Sequence, residues 1–252
     1  MRIFSIHGIT KSGKTTTAEN LIKELTRRRY RVGSIKEIHY EQFAIDTVGS
    51  NTHRHQQAGA TLVTARGYTE TDLLFPSALT LEAILSHYDH DFVVMEGVTD
   101  TCAPKIITAH TTVEVDERLD DTVFAISGLL ANTMDTYRGL PVINSIKEAG
   151  RLADLVEEKV FSRLPDMKPD CCHGCGYDCR GLSARILSGL SLRSDCVLSR
   201  GDIQLVIDGR VIPMVPFVQT LLRNAVLGVA GELEGYRSHG AIQVNIRRTA
   251  NE

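Results

Sequence analysis

The sequence predicts an α/β fold in which a mainly parallel sheet carries helices on both faces. Short apolar strands alternate with helical segments through residues 1–165, and this alternation is typical of parallel sheets with crossover helices. The first strand runs into a glycine-rich loop and then into a helix, which is the context of phosphate-binding loops. We therefore predict a P-loop NTPase-like domain, followed by a small Cys-rich module and a C-terminal α+β tail.

Apolar runs and turn signals predict the individual elements in chain order. In the first domain we expect strands at residues 2–7, 31–36, 61–65, 92–95, 106–109, 122–127 and 141–144, and helices through 18–25, 79–87 and 145–163. The polar stretch 37–60 is expected to be irregular. In the tail we expect a hairpin with strands at 203–207 and 211–212, a helix at 215–229 and a strand at 241–246.

The glycine-rich loop at residues 8–15 reads Gly-Ile-Thr-Lys-Ser-Gly-Lys-Thr and matches the pattern G-x-x-x-x-G-K-[ST]. Its glycines allow backbone N–H groups to surround phosphates, and the following helix N-terminus adds partial positive charge. Lys14 is expected to reach the β- and γ-phosphates, and Thr15 to offer a hydroxyl to Mg²⁺. The predicted nucleotide-contacting residues are Gly8, Thr10, Lys11, Ser12, Gly13, Lys14, Thr15 and Thr16.

Two carboxylates are candidates for the metal side of this site, because such loops use an acidic partner near a neighbouring strand end. Glu96 follows the apolar strand at 92–95, and Asp46 lies in the polar stretch after the second strand. For each of them a solvated surface carboxylate is the alternative. The predicted catalytic set is Lys14, Asp46 and Glu96, and the predicted Mg²⁺ set is Thr15, Asp46 and Glu96.

A base-reading segment is only weakly indicated. Residues 132–135, Asn-Thr-Met-Asp, resemble the guanine-reading pattern Asn-Lys-x-Asp, but lysine is missing from the second place. A helix-capping role for Asp135 is an equal alternative.

Five of the six cysteines fall between Cys171 and Cys196, and this clustering favours a metal centre in a reducing compartment. The spacing Cys172-x2-Cys175-x3-Cys179-x16-Cys196 offers four thiolates, which suit either a [4Fe-4S] cluster or Zn²⁺. We favour the iron–sulfur cluster, because three close cysteines with a remote fourth are commoner there. Zinc and free thiols are the alternatives, and Cys171 competes with Cys172 as the first ligand.

Charge and hydropathy argue against two classes of partner. The chain has 28 lysines and arginines against 31 aspartates and glutamates, and its formal net charge of −3 disfavours nucleic-acid binding through many phosphates. No apolar run approaches the roughly 18 residues that cross a bilayer, so we expect no membrane association and a cytoplasmic protein. Three histidines lie in the polar stretch: His39, His53 and His55. They form either a phosphate- or pterin-facing basic patch or a solvated face, and we favour the solvated face.

These motifs together resemble the molybdopterin-guanine dinucleotide biosynthesis adaptor family, MobB. The resembling segments are residues 8–16, 34–36 with His39, Asp46 with Gly49, Arg54 with residues 58–60, and residues 94–97. The Cys region is similar to small [4Fe-4S] modules of corrinoid and methanogenic one-carbon enzymes. Those modules usually have four residues between the second and third cysteines, whereas this chain has three.

The MobB resemblance implies a protein that binds GTP with Mg²⁺, hydrolyses it slowly and forms a homodimer. It further implies assistance to a partner guanylyltransferase that attaches GMP to molybdopterin, with the pterin cofactor itself as a possible ligand. By the resemblance, Lys14 and Thr15 contact phosphate and Mg²⁺, and Asp46 and Glu96 are metal-side carboxylates. The chain departs from the family pattern at Glu37, Asn51 and Thr52.

We therefore expect a P-loop GTP-binding domain at 1–165, a Cys-rich [4Fe-4S]-type module at 166–200 and a hairpin–helix–strand extension at 201–252. Two other functions stay open. One is a P-loop kinase acting on a small metabolite, with Asp46 or Glu96 as its base. The other is an iron–sulfur electron carrier with a vestigial P-loop, which the intact Lys14 and Thr15 disfavour.

Overall fold

The computed structural model describes residues 1–40, 42–166, 173–199, 203, 205–207, 210–212, 214, 216–236 and 242–244. The elements in chain order are β1 (Arg2–Gly8), α1 (Lys14–Arg27), β2 (Val32–Lys36), α2 (Asn51–Gln57), β3 (Val63–Arg66), β4 (Thr71–Leu74), α3 (Leu81–Leu85), β5 (Phe92–Glu96), β6 (Lys105–Thr108), α4 (Thr112–Asp116), β7 (Val123–Ser127), β8 (Thr136–Tyr137), β9 (Leu140–Pro141), α5 (Ala149–Lys159), α6 (Cys179–Leu187), β10 (Leu205–Ile207), β11 (Arg210–Ile212) and α7 (Pro216–Gly231). Short 3₁₀ turns lie at Leu129–Asn132, Arg193–Asp195 and Val197–Ser199.

Five strands form one parallel sheet in the order β2-β5-β1-β6-β7. β1 lies in the centre, and the register places Glu96 of β5 opposite Ile6 of β1 on one side and Lys36 of β2 on the other. The predicted mainly parallel, P-loop NTPase-like sheet is therefore confirmed. Because ligands of open α/β sheets bind at the carboxyl edge, the loop after β1 and the ends of β2 and β5 define the edge of interest.

Successive residues of the central strand pack on opposite faces of the sheet. Phe4 and Ile6 join Leu21 of α1 and Leu152 of α5 in one core cluster. Ile3 packs on the other face in a second cluster that includes residues of α3, and a third cluster includes a residue of α4. Burial of each large apolar side chain contributes about 1.5–3 kcal/mol. The prediction of helices on both faces is confirmed.

Three predicted segments differ in the structure. The strand expected at 61–65 corresponds to β3, which pairs antiparallel with β4 outside the central sheet. The strand expected at 141–144 is replaced by the two-residue β9, which pairs antiparallel with β8, and an isolated parallel bridge joins Val142 to Ile126. Helix α2 lies in the stretch expected to be irregular, since its polar sequence Asn-Thr-His-Arg-His-Gln-Gln lacks an apolar period.

The chain forms two compact units. The first comprises Met1–Pro169 and Cys179–Arg193, and the second comprises Asp170–Asp178 and Ser194–Glu252. In the second unit β10 and β11 form the expected hairpin, and α7 is the expected tail helix. Of the strand expected at 241–246, residues 241, 245 and 246 lie outside the described residues, and residues 242–244 are not in a strand. Among the described residues, no helix is both long and apolar enough to span a bilayer.

Candidate nucleotide-binding site

Two glycines determine the path of the P-loop, residues 8–15, which links β1 to α1. Gly13 has a backbone φ of 105°, in the left-handed region that glycine adopts without strain. Gly128, directly after β7, has a φ of 81°, and a Cβ there would lie 2.2 Å from the carbonyl oxygen of Ser12. A side chain at Gly128 would therefore displace the loop from the edge of the sheet.

The side chain of Ser12 supports the P-loop from inside. Its Oγ donates a hydrogen bond to the carbonyl of Ile9 at 2.8 Å and lies 2.7 Å from Oγ1 of Thr108 at the end of β6. Ser12 and Thr108 are both buried, and each hydroxyl has a protein partner. The side chain of Ser12, which the sequence placed among the nucleotide contacts, therefore shapes the loop.

Three polar side chains meet at the carboxyl edge, and we call Thr15, Lys36 and Glu96 the edge triad. The hydroxyl of Thr15 donates to Oε1 of Glu96 at 2.7 Å, and Nζ of Lys36 donates to the same oxygen at 2.8 Å. Lys36 ends β2 directly opposite Glu96, which ends β5, so strand register brings the pair together. Burial raises the pKa of Glu96, but hydrogen bonds from Lys36 and Thr15 outweigh burial and hold that pKa below its usual value.

Lys14, the first residue of α1, folds back over the loop that precedes it. Its Nζ donates to the carbonyls of Gly8 and Ile9 at 3.0 and 2.6 Å. Burial lowers the pKa of Lys14, the charge of Glu96 opposes this lowering, and the nearby Lys36 adds to it. Two cations and one carboxylate thus share the mouth of the P-loop.

The residues present fit a phosphate chain with Mg²⁺. Backbone N–H groups of a P-loop followed by a 14-residue helix favour anions, and Lys14 and Lys36 add positive charge. The hydroxyl of Thr15 and the carboxylate of Glu96 are hard oxygen donors of the kind that Mg²⁺ prefers, and they already lie in contact.

Asp46, the other predicted metal-side carboxylate, lies in the loop that precedes α2. Its Oδ1 accepts hydrogen bonds from the backbone N–H of Thr47 at 2.8 Å and from the hydroxyls of Ser50 and Thr52 at 2.7 and 3.0 Å. The hydrogen bond from Ser50 is the main reason that the pKa of Asp46 lies below its usual value. Its other oxygen, Oδ2, is buried and has no hydrogen-bond partner in the described structure. These contacts join Asp46 to α2, whereas Thr15 and Glu96 contact each other.

The four predicted iron–sulfur ligands are only partly described. Cys172, with its competitor Cys171, lies outside the described residues. Cys175 donates from Sγ to the carbonyl of Tyr177 at 3.3 Å, Cys179 begins α6, and Cys196 is buried. Within the described parts of the chain, no three His, Cys, Asp or Glu side chains form a group that could hold a metal ion.

The weak guanine motif lies on the turn after β7. The side-chain oxygen of Asn132 accepts a hydrogen bond from the amide of Asn144 at 2.8 Å, and its own amide donates to the carbonyl of Leu129 at 3.2 Å. Asp135 is exposed. The side-chain amide of Asn132 therefore stabilises the turn at Leu129–Asn132.

The histidines of the polar stretch have separate surroundings. His39 and His55 are exposed, and Nδ1 of His53 accepts a hydrogen bond from the backbone N–H of Gly49 at 3.3 Å. His55 also lines an open surface pocket of about 380 Å³ between α2 and β3.

Lys36 was named within the MobB-like segment 34–36 and was not predicted to belong to the site. Its position at the end of a strand neighbouring the one that ends in Glu96 was the available signal, because parallel strands bring such ends together. Sequence reasoning also did not single out His110, whose ring nitrogen lies 3.1 Å from the carbonyl oxygen of Lys11 in the P-loop. That contact is long-range, and no local pattern predicts it.

The parallel sheet, the P-loop and the edge triad define a P-loop NTPase-like α/β protein. The family described as molybdopterin guanine dinucleotide synthesis protein B, MobB, matches residues 3–128, and the chain belongs to this family. The predicted family resemblance is thereby confirmed for the P-loop domain.

Two curated relatives agree with this assignment. A Methanocaldococcus jannaschii protein, named provisionally as a molybdopterin-guanine dinucleotide biosynthesis adapter protein, is 28% identical over 253 residues, covering 98% of this chain and 97% of that protein. The molybdopterin-guanine dinucleotide biosynthesis adapter protein of Haemophilus influenzae is 32% identical over 114 residues, covering 42% of this chain and 61% of that protein. The archaeal relative therefore extends through the Cys-rich and C-terminal regions.

Solved structures agree on the fold. A crystal structure of Bacillus subtilis MobB superposes with a TM-score of 0.52 at 21% identity, covering 65% of this chain and 100% of that one. A second structure of the same protein gives a TM-score of 0.50 at 20% identity with the same coverage.

Proposed function

We propose that the chain binds GTP with Mg²⁺ at its P-loop and acts as an adapter in molybdenum or tungsten pterin guanine dinucleotide biosynthesis. It would assist a partner guanylyltransferase that attaches GMP to molybdopterin. The observation that carries the proposal is the edge triad, in which Thr15 and Lys36 both donate to one oxygen of Glu96. Membership of the MobB family supports the biosynthetic role.

In this proposal each side chain of the site has a distinct task. Lys14 leaves the carbonyls of Gly8 and Ile9 and donates to the β- and γ-phosphates, for which the P-loop lysine is suited. Thr15 and Glu96 hold Mg²⁺, and Lys36 supplies further positive charge at the phosphates. The ion, when bound, neutralises charge on the phosphate oxygens.

Hydrolysis by the chain alone is expected to be slow. The hydrogen bonds of Lys14, Thr15 and Glu96 go to backbone carbonyls and to one another, with Lys36 as the further side-chain donor. Fast P-loop hydrolysis needs an arginine that stabilises developing charge and a residue that positions water. We therefore assign the main chemical step to the partner enzyme. Homodimerisation and a cytoplasmic location belong to the same proposal.

A reconstituted transfer assay tests this function. Formation of molybdopterin-guanine dinucleotide by the cognate transferase, with its guanine nucleotide donor present in every arm, should rise when the chain is added. Thr15→Val should remove the stimulation because it removes only the metal-facing hydroxyl. Thr26→Val, on the exposed side of the same helix, is the matched control.

The same assay separates the adapter from the kinase alternative. Transfer of a labelled γ-phosphate to a metabolite, with no stimulation of dinucleotide formation, would show that the chain is a kinase and not an adapter. Stimulation without such phosphate transfer is the result that we expect.

We also propose that residues 166–200 form a [4Fe-4S] module through Cys172, Cys175, Cys179 and Cys196, followed by the extension at 201–252. Support comes from the spacing alone, and no step of the nucleotide chemistry depends on it. Anaerobically purified protein should contain about four iron and four sulfide per chain. Cys175→Ser should lose both, while Cys171→Ser retains them. Purified protein that instead contains one tightly bound zinc per chain would indicate a structural zinc site.

A further inference from the structure

Two exposed aliphatic side chains lie on neighbouring segments at the carboxyl edge of the sheet. Leu129, on the turn after β7, is 49% exposed, and Ile146, before α5, is 72% exposed. An isolated parallel bridge joins Val142 to Ile126 of β7, so the two segments leave the sheet side by side. Single exposed aliphatic residues are common on protein surfaces, and the hydrogen bonds between these two segments distinguish this pair.

Three hydrogen bonds connect the backbone of Leu129 to that of Ile146 through two asparagines. The side-chain amide of Asn132 donates to the carbonyl of Leu129 at 3.2 Å. The side-chain oxygen of Asn132 accepts from the amide of Asn144 at 2.8 Å, and Asn144 is buried. The side-chain oxygen of Asn144 accepts the backbone N–H of Ile146 at 2.9 Å. This continuous chain of hydrogen bonds holds the two segments at a fixed separation.

The turn after β7 also contacts the P-loop directly. The backbone N–H of Leu129 donates to the carbonyl of Ser12 at 3.3 Å. A Cβ at Gly13 would lie 3.1 Å from Cα of Gly128, so the two backbones are closely packed. Leu129 therefore lies beside the loop that would hold the phosphates.

The order of the strands determines which side of the P-loop is available to a nucleoside. The proposed metal ligands, Thr15 and Glu96, meet on the side of β1 where β5 lies. Because Mg²⁺ bridges the β- and γ-phosphates in such sites, the γ-phosphate end of the chain lies toward Glu96. The α-phosphate and the nucleoside then extend toward β6 and β7, where Leu129 contacts the loop.

We propose that Leu129 and Ile146 form a clamp that binds the purine ring of the nucleotide, with Asn132 and Asn144 as positioning residues. We call Leu129 and Ile146 the base clamp. The proposal rests on the proposed function, because it assumes that the P-loop binds a nucleoside triphosphate. A purine ring is flat, and contact with its faces removes apolar side-chain area from water. Every base has such faces, so the base clamp contributes affinity for the ring without distinguishing guanine from adenine.

Calorimetric titration of the full chain with GTP and with inorganic tripolyphosphate, both with Mg²⁺, separates the base clamp from the phosphate site. Leu129→Ala and Ile146→Ala should each weaken GTP affinity by about five- to tenfold, because each removes apolar area that the base would cover. Tripolyphosphate affinity should stay unchanged in both variants. Leu73→Ala is the matched control, since Leu73 of β4 is 51% exposed, and it should leave both affinities unchanged.

Asn132→Ala tests the positioning role. It removes the hydrogen bonds to Leu129 and Asn144, and it should weaken GTP affinity by about threefold or more while tripolyphosphate affinity stays unchanged. Asn132 is exposed, so the unfolding transition should change little. A merely structural role would lower both affinities together. That result, or no loss of either affinity, would overturn the positioning role.

A direct contact measurement completes the test. In the GTP-saturated chain, nuclear Overhauser effects should connect the methyl protons of Leu129 and Ile146 to the H8 proton of the guanine ring. Their absence would overturn the base clamp alone, as would unchanged GTP affinity in Leu129→Ala and Ile146→Ala or equal losses of GTP and tripolyphosphate affinity. Failure of the unmodified chain to bind GTP would instead overturn the proposed function on which the base clamp rests.

Discussion

Two lysine–carboxylate pairs lie at opposite ends of the central sheet and have nearly the same geometry. Lys36 contacts Glu96 at 2.8 Å at the carboxyl edge, and Lys105, the first residue of β6, contacts Asp120 at 2.9 Å at the amino edge. The lysine side chains are 54% and 3% exposed, respectively. Equal distances therefore accompany very different access to solvent and ligand.

The surroundings of the two carboxylates explain the difference. Asp120 also accepts hydrogen bonds from the backbone and hydroxyl of Thr122, and Arg180 approaches it at 2.8 Å. Burial raises the pKa of Asp120, but the hydrogen bonds from Thr122 and Lys105 outweigh burial and lower the pKa to about 2. The amino-edge pair is closed and structural. The carboxyl-edge pair is open on the lysine side, so a ligand can reach it.

The largest expected effect is a difference between the two lysine–carboxylate pairs in how much each one stabilises the fold. Lys105→Met should lower the free energy of unfolding by about 2–4 kcal/mol, because it leaves the half-buried Asp120, still contacted by Thr122 and Arg180, without its buried lysine. Lys36→Met should lower it by less than about 1 kcal/mol, since that pair is largely exposed on the lysine side. Urea denaturation of both variants measures the contrast. Equal losses would show that the two pairs are not functionally distinct.

The free energy of unfolding is expected to fall by about 3 kcal/mol at low pH because of His7, which lies on β1 directly before the P-loop. His7 is 7% exposed, and its Nε2 has no hydrogen-bond partner in the described structure. Burial, followed by the charge of Lys105, lowers the pKa of His7 to about 4 from 6.5. In this pH range His7 therefore binds a proton in the unfolded chain but not in the folded chain. The free energy of unfolding falls as pH drops from about 6.5 to about 4.

His7→Gln provides the measurement of this effect. Urea denaturation at several pH values should show a flatter loss of stability in this range for the variant than for the unmodified chain. Parallel curves for the two proteins would mean that His7 is protonated equally in the folded and unfolded states.

The smallest of these effects is the contribution of the open Lys36–Glu96 pair to GTP binding. Lys36→Met should weaken GTP affinity by about tenfold, or about 1.4 kcal/mol, because it removes a positive charge beside the phosphates. Arg31→Met is the matched control, since Arg31 precedes the same strand at its far end and pairs with Asp89. Calorimetry should detect the loss only in the first variant, and a similar loss in both would assign it to net charge.

Local motifs were sufficient to predict one part of the site. The P-loop and the end of β5 are encoded in contiguous residues, so Lys14, Thr15 and Glu96 could be named from sequence, and the structure brings Thr15 and Glu96 into contact. The contribution of Lys36 depends on strand register, and that of His110 depends on a contact to a residue 99 positions away. Such pairings arise only when the sheet is assembled.

The rest of the fold shows the same limit. The parallel sheet followed from alternating apolar runs, whereas the antiparallel pairing of β3 with β4 depends on a partner strand that is mostly exposed and has no clear apolar pattern. Asp46 was chosen from its place in the chain, and its hydrogen bonds at the start of α2 depend on a polar helix that periodicity does not reveal.

Calorimetric titration of GTP with Mg²⁺ into the unmodified chain and into Lys14→Ala tests the central claim most directly. The unmodified chain should bind GTP, and Lys14→Ala should show no detectable binding with an unchanged unfolding transition, because the hydrogen bonds of Lys14 within the described structure go to the loop carbonyls. Lys23→Ala, an exposed lysine on the same helix, should bind as the unmodified chain does. Equal GTP affinity in Lys14→Ala and the unmodified chain would contradict a nucleotide site at the P-loop.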